Sequence, residues 1–501
     1  MTELTRRDTI VGTTAAAALW AAPALAASGD AKRIRAALEA QHDANIVRLQ
    51  RWIANPTIAA EGRNVTGGAS YLADMLREVG FQSATVIPTS GVPGLFATMD
   101  NGAKRTLGLY FMYDVKQFVA DEWSSPPLEG RLIDKPGLGR CIVGRGAENQ
   151  KGPENNVISA LAAMKAAGIR PPVNLVLVAE GEEEIASPHF LEIVSQPQVA
   201  AALKRCEGIY IPSASQDESG SVGVELGAKG AVELQLIASG ERWGRGPAKD
   251  IHSSLYAMVD SPAWHLIHAL ATLTDPTGTR PAVDGWFEKV RPMTAREIEI
   301  TRANAAASSE AEFKKAYGVQ HFIGDLDWQA ANQRLVSQPT INIQGLTGGY
   351  MGPGGKTVLP HMATAKIDLR LVPNMTKEDC IEKLQRHLAK RGYGDIEVHV
   401  SGGYGPTETA ENSRLVQAEL ATYRALGTVP TLSARSAGSW PGIRFTGAPL
   451  HLPAAQFGLG HGSGAHAPNE YFVIDSNNAR IAGLVEGAMS HVSLWYEMAR
   501  G

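Results

Sequence analysis

Residues 173–187 read VNLVLVAEGEEEIAS. The run from Leu175 to Ala179 is unbroken by polar residues and too short for a buried helix, so it predicts a strand covered on both faces, as in a parallel sheet flanked by helices. Four carboxylates, Glu180, Glu182, Glu183 and Glu184, follow at once. In such sheets function gathers beyond the carboxyl ends of strands.

The same pattern repeats on either side. Upstream, TLGLYFMYDV (106–115) ends at Asp114, and downstream GIYIPS (208–213) ends at Ser213. Helical spacing in IRAALEAQHDANIVRLQRWIA (34–54) and YLADMLREVGF (71–81) alternates with these runs, which predicts an α/β class with a mostly parallel sheet covered by helices. Near GAKGAVELQLIASG (227–240) the character changes. A period-two strand begins there, followed by the helix-like SPAWHLIHALATL, the strands PTINIQGLTGG and TAKIDLRLVP, the helix KEDCIEKLQRHLAKRGY and the strand DIEVHVSGG. These elements predict a smaller α+β unit inserted into the first domain. The expected division is 1–27 export signal, 28–228 first part of the α/β domain, 229–403 inserted α+β domain, and 404–501 second part of the α/β domain.

At 501 residues and 44% hydrophobic content the chain can fill the cores of two or three domains. A net charge of -4 and a pI near 6.4 argue against nucleic acid as a partner. The segment TRRDTIVGTTAAAALWAAPALAA has a charged start, a short apolar stretch and a small-residue ending. With Arg6 and Arg7 adjacent it resembles a twin-arginine signal; a Sec signal or a signal anchor is the alternative. The expected location is the periplasm, with no membrane association after removal of the signal. Cys141, Cys206 and Cys380 are far apart, which reads as buried thiols, or as one disulfide whose pair is not selected.

In order, DEWSSPPLEG, GRGAENQKG, AEGEEEIAS, GAKG, DIHSS, GGYMGPGGKTVLP, KIDLRLVPN and GSGAHAPNE resemble the M20 family of metallopeptidases. The resemblance implies a catalytic domain with an inserted lid or dimerisation domain, and two zinc ions sharing a bridging aspartate. It places the general base on Glu183 and zinc ligands on Glu184 and His466, with Asp114 orienting a histidine ligand. That histidine position is Met112 here, the bridging aspartate is Asn149, and the remaining acidic ligand falls on or beside Ser213. A thioether, an amide and a hydroxyl lead to the expectation of no metal, or of at most one weakly bound zinc-like ion. Glu148 and His461 are neighbours able to substitute, and Lys116 and Lys151 are candidates for supplying positive charge.

The resemblance also implies substrate groups. His252 matches a lid histidine that stabilises an oxyanion in a partner subunit's site; Arg370, Thr357, Asn342, Ser439 and Gly464 match contacts to a small carboxylate-bearing substrate. The expected function is hydrolysis of an amide or peptide bond with Glu183 as general acid/base, in a homodimer joined through the lid. The alternatives are a metal-independent lyase or isomerase, and a non-catalytic binder.

Overall fold

The computed structural model describes residues 25 and 29–500; the expected export signal, apart from Leu25, lies outside the described residues. A six-stranded sheet organises the larger unit, in the order Ser83–Ile87, Gly94–Met99, Asn174–Glu180, Thr106–Met112, Ile209–Pro212, Ala454–Phe457. The last four are mutually parallel and the first two antiparallel. Leu175, Leu177 and Val178 are fully or almost fully buried, as expected of a strand covered on both faces. Helices Lys151–Ala166, Arg414–Ala425 and Leu484–Ala499 supply much of one cover, and Phe190–Val194 with Pro197–Leu203 the other.

A second sheet, Thr340–Gly348, Met362–Leu371, Gly230–Ser239, Glu397–Tyr404, is antiparallel throughout. Helices Pro262–Ala271 and Lys377–Lys390 cover one face, burying Leu266, Leu270, Leu384 and Leu388 against Leu234, Ile367 and Leu369. Ser261 and Thr376 cap the two helices through their hydroxyls, each accepting a backbone N–H. The opposite face carries Asp368 and Arg370 toward the larger unit.

Two readings of local structure change. The pattern over 34–54 is two helices, Asp30–Ala40 and His42–Ile53, because Gln41 leaves helical geometry between them. Between helix Pro262–Ala271 and strand Thr340–Gly348 the chain forms three α-helices, Ala295–Ala307, Glu310–Tyr317 and Trp328–Ser337, which apolar periodicity does not announce. The signal was a capping box: Thr294 accepts from the Glu297 N–H while Glu297 accepts from the Thr294 N–H. All three cysteines are free and buried, and no described helix is long and apolar enough to cross a membrane.

Glu419, on helix Arg414–Ala425, is fully buried, and neither carboxyl oxygen has a hydrogen-bond partner among the described residues. Burial pushes this carboxyl well above its ordinary 4.5. The folded state therefore keeps a proton that the unfolded chain releases, and stability falls as pH rises above about 4.5. Glu419→Gln removes this penalty. The variant gains about 1.4 kcal/mol over the wild type per pH unit from 4.5 toward the folded-state value, and nothing at pH 4, as read by denaturant melts.

Candidate active site

The acidic turn after Asn174–Glu180 is shaped by its neighbour strand. Asp114, just past Thr106–Met112 and completely buried, accepts the backbone N–H groups of Glu183 at 3.2 Å and Glu184 at 3.1 Å. Burial, then the charge of Glu184, push its carboxyl up to about 8, while these N–H bonds oppose the shift. Glu180 accepts from Tyr110 at 2.8 Å and Ser187 at 2.9 Å, which holds the strand end. Burial, followed by Glu184 and Asp114, raises the Glu183 carboxyl well above the usual range, so it holds a proton more readily than a free carboxyl does.

Glu184 faces the loop that carries His466. Its carboxylate is 3.0 Å from His466 Nε2. The Asn149 amide donates to Glu184 Oε1 at 2.7 Å and lies 3.1 Å from the same histidine nitrogen. Gly464 (φ 85°) and His466 (φ 64°) both adopt left-handed backbone, which turns the loop back toward Glu470. Met112 is buried and contributes its N–H to Glu154 at 2.7 Å, while Ser213 is bound through its N–H to the Phe457 carbonyl at 2.9 Å.

Of the possible substitutes, His461 is taken up by the Gln216 carbonyl at 2.8 Å and Tyr471 at 3.1 Å, and Lys151 by the Trp52 carbonyl at 2.8 Å. Lys116 does reach the site, donating to the Glu184 carbonyl with its amine 3.5 Å from Glu184 Oε2. Glu148 is close enough to Glu470, His466 and Glu184 to interact with them, and burial raises it to about 7.

Arg370 donates to Ser439 Oγ at 2.8 Å and to Asp368 at 3.1 Å, leaving Nη2 without a partner among the described residues. Tyr404, absent from the candidates read in the sequence, lies with its hydroxyl 3.5 Å from Ser439 and 3.4 Å from Glu183. Its signal was available only in register: Ala231 pairs with Arg370 on one side and Tyr404 on the other. His252 and Thr357 lie apart from this group, exposed and 3.1 Å from each other on the lid. Asn342 is on the edge strand, also exposed.

A raised carboxyl, a histidine–carboxylate pair and a partly free guanidinium therefore stand close together between the six-stranded sheet and the antiparallel sheet. Residues 112–490 match Peptidase family M20/M25/M40, and the chain belongs to that family. It is 25% identical over 453 residues to the Cys-Gly metallodipeptidase DUG1 of Candida albicans, covering 85% of this chain and 90% of the relative. With the human Beta-Ala-His dipeptidase it shares 26% over 376 residues, 73% of this chain and 71% of the other. An M20 family metallo-carboxypeptidase from Sulfolobus solfataricus superposes with a TM-score of 0.78 at 29% identity, covering 91% of this chain and 99% of that one.

These names correct the cofactor expectation. The DUG1 relatives are metallodipeptidases, which conflicts with a site holding no metal or only one weakly bound ion. That expectation weighed residue types alone. An amide oxygen is itself a metal donor, and a half-turn of the Asn149 amide puts its oxygen beside Glu184 and His466. Among the described residues no group of three or more His, Cys, Asp or Glu gathers for a metal ion, so the amide is the third donor available there. Asn149→Asp is expected to tighten zinc binding by about tenfold or more, since it adds a formal charge to the donor set; competition against a chromophoric chelator measures it.

Proposed function

We propose that the protein hydrolyses the peptide bond of small, dipeptide-like substrates, with Glu183 moving the proton and Arg370 and Ser439 holding the substrate carboxylate. The observation that carries this is the line from Glu183 through Tyr404 and Ser439 to Arg370, which sets a proton carrier and an anion grip on one side of the cleft. The relatives named as dipeptidases support it, and nothing in the site favours the lyase, isomerase or non-catalytic alternatives. When bound by Glu184, His466 and the Asn149 amide oxygen, a divalent metal supplies Lewis acidity toward the scissile carbonyl. Asp114 fixes the backbone that aims Glu183, and Lys116 offsets the negative charge around Glu184.

The same reading includes a second copy of the chain. Strand Thr340–Gly348 is the open edge of the lid sheet, with Ile343 and Leu346 exposed and Met362 exposed on the neighbouring strand. Such an edge pairs readily with another. His252 and Thr357, remote from Glu183 in their own chain, then serve the partner's site. The first 27 residues act as the export signal, and the protein works in the periplasm.

Glu183→Gln is expected to lower kcat on dipeptides by about 10²–10⁴-fold, with amine release as the readout; undiminished turnover rules out the assignment. Ile343→Lys with Leu346→Lys is expected to convert a dimer to a monomer in sedimentation velocity and to abolish most activity.

A further inference from the structure

Beside Arg370 the molecule holds more space than a dipeptide grip requires. A cavity of about 1420 Å³ lies between the helical excursion, the loop around Asp217 and the open-edge strand of the lid sheet. Asp368 is part of its wall and also accepts from Arg370 at 3.1 Å, two residues along the same strand face. The cavity therefore begins one side chain away from the guanidinium.

Three cations line that wall without an ion pair among the described residues: Arg280 is exposed and lies over the Phe287 ring, while Lys229 and Arg334 are more enclosed. Lys229 is 3% exposed, and its amine donates to the Gln338 carbonyl at 2.7 Å. Arg334 donates to the Thr279 carbonyl. Neither has a carboxylate within ion-pair distance among the described residues. Burial, then the positive charges of Arg435, Arg370 and Arg334, push the Lys229 amine down to about 8. A buried ammonium surrounded by like charge is a position that an incoming anion relieves.

Of the acids in the cavity, Asp368 gives Oδ2 to Arg370 and keeps a buried Oδ1 without a partner among the described residues, Asp217 accepts from Ser219 and Ser221 of its own turn, and Glu312 is exposed at the rim. Across from the cations stand Phe313, Phe322 and Trp328, with Phe313 5.3 Å from Trp328 and 5.9 Å from Phe322 between ring centroids. This wall suits the carbon arm of a side chain, and the cations suit its end.

We propose that the cavity receives a second carboxylate of the substrate: the residue whose α-carboxylate Arg370 takes carries an acidic side chain, which Lys229 and Arg334 bind. This rests on the reading of Arg370 as the grip for a substrate carboxylate. Lys229 and Arg334 are then specificity residues, and neither touches the scissile bond.

The test uses alanylglutamate and alanylglutamine, which match in shape and differ in charge. Calorimetry on the full-length Glu183→Gln protein reads binding without turnover. The expected result is at least tenfold tighter binding of alanylglutamate, with the preference reduced to less than threefold by Lys229→Met and, separately, by Arg334→Gln. The half-exposed Arg334 keeps the test decisive if the buried lysine variant does not fold. Equal binding of the two peptides, or a preference that survives Arg334→Gln, overturns the proposal. Cleavage of neither peptide by the unaltered protein counts against the hydrolase reading, while the binding ratio still decides the pocket.

Discussion

The site depends on one buried carboxylate that does no chemistry. Glu470, fully enclosed, accepts the backbone N–H groups of Gly146 at 3.1 Å, Glu148 at 2.9 Å and Asn149 at 2.9 Å, and the Arg145 guanidinium at 2.8 Å. Its own carbonyl receives the Gly144 N–H at 3.0 Å. These bonds tie the loop 144–149 to one more than 320 residues later, and so bring Asn149 and His466 to Glu184. A charge buried this deeply persists only when its oxygens are satisfied. The several backbone donors and the cation satisfy it, and in return the loop has one conformation.

Asp114 performs a parallel task for the acidic turn. Strand Thr106–Met112 runs parallel and adjacent to Asn174–Glu180, so their carboxyl ends emerge side by side and Asp114 meets the N–H groups of Glu183 and Glu184. Burial first, and then the crowding of neighbouring carboxylates, raises Asp114, Glu180 and Glu183 together. Fixed geometry and shared protons arise from the same packing: the sheet brings the groups together, and the low-dielectric surroundings make each sensitive to the next.

Much of this was legible before folding. The apolar runs with period two or with none, the helical spacing of 377–390 and 484–499, and the Glu183–Glu184 turn all appear where local pattern predicts them. The three helices between Ala295 and Ser337 did not, because they are largely polar and announce themselves by caps rather than by a stripe. Metal chemistry was misjudged for a related reason. Residue types at Met112 and Asn149 were weighed as losses, whereas the amide's position between Glu184 and His466 lets it act as a donor.

The chain's order of residues determined which groups exist: the covered strands, the acidic turn, the histidine after Gly464, the arginine of the lid strand. Periodicity acts over a few residues, so it is written locally. Tertiary structure alone decided the neighbours. That Tyr404 stands by Glu183, that Glu470 holds the Asn149 loop, and that Lys229 is sealed into a cavity beside Arg370 all follow from strand register and from contacts across hundreds of residues. Those contacts are set by how the sheets and helices pack, and no local pattern encodes a distance in space.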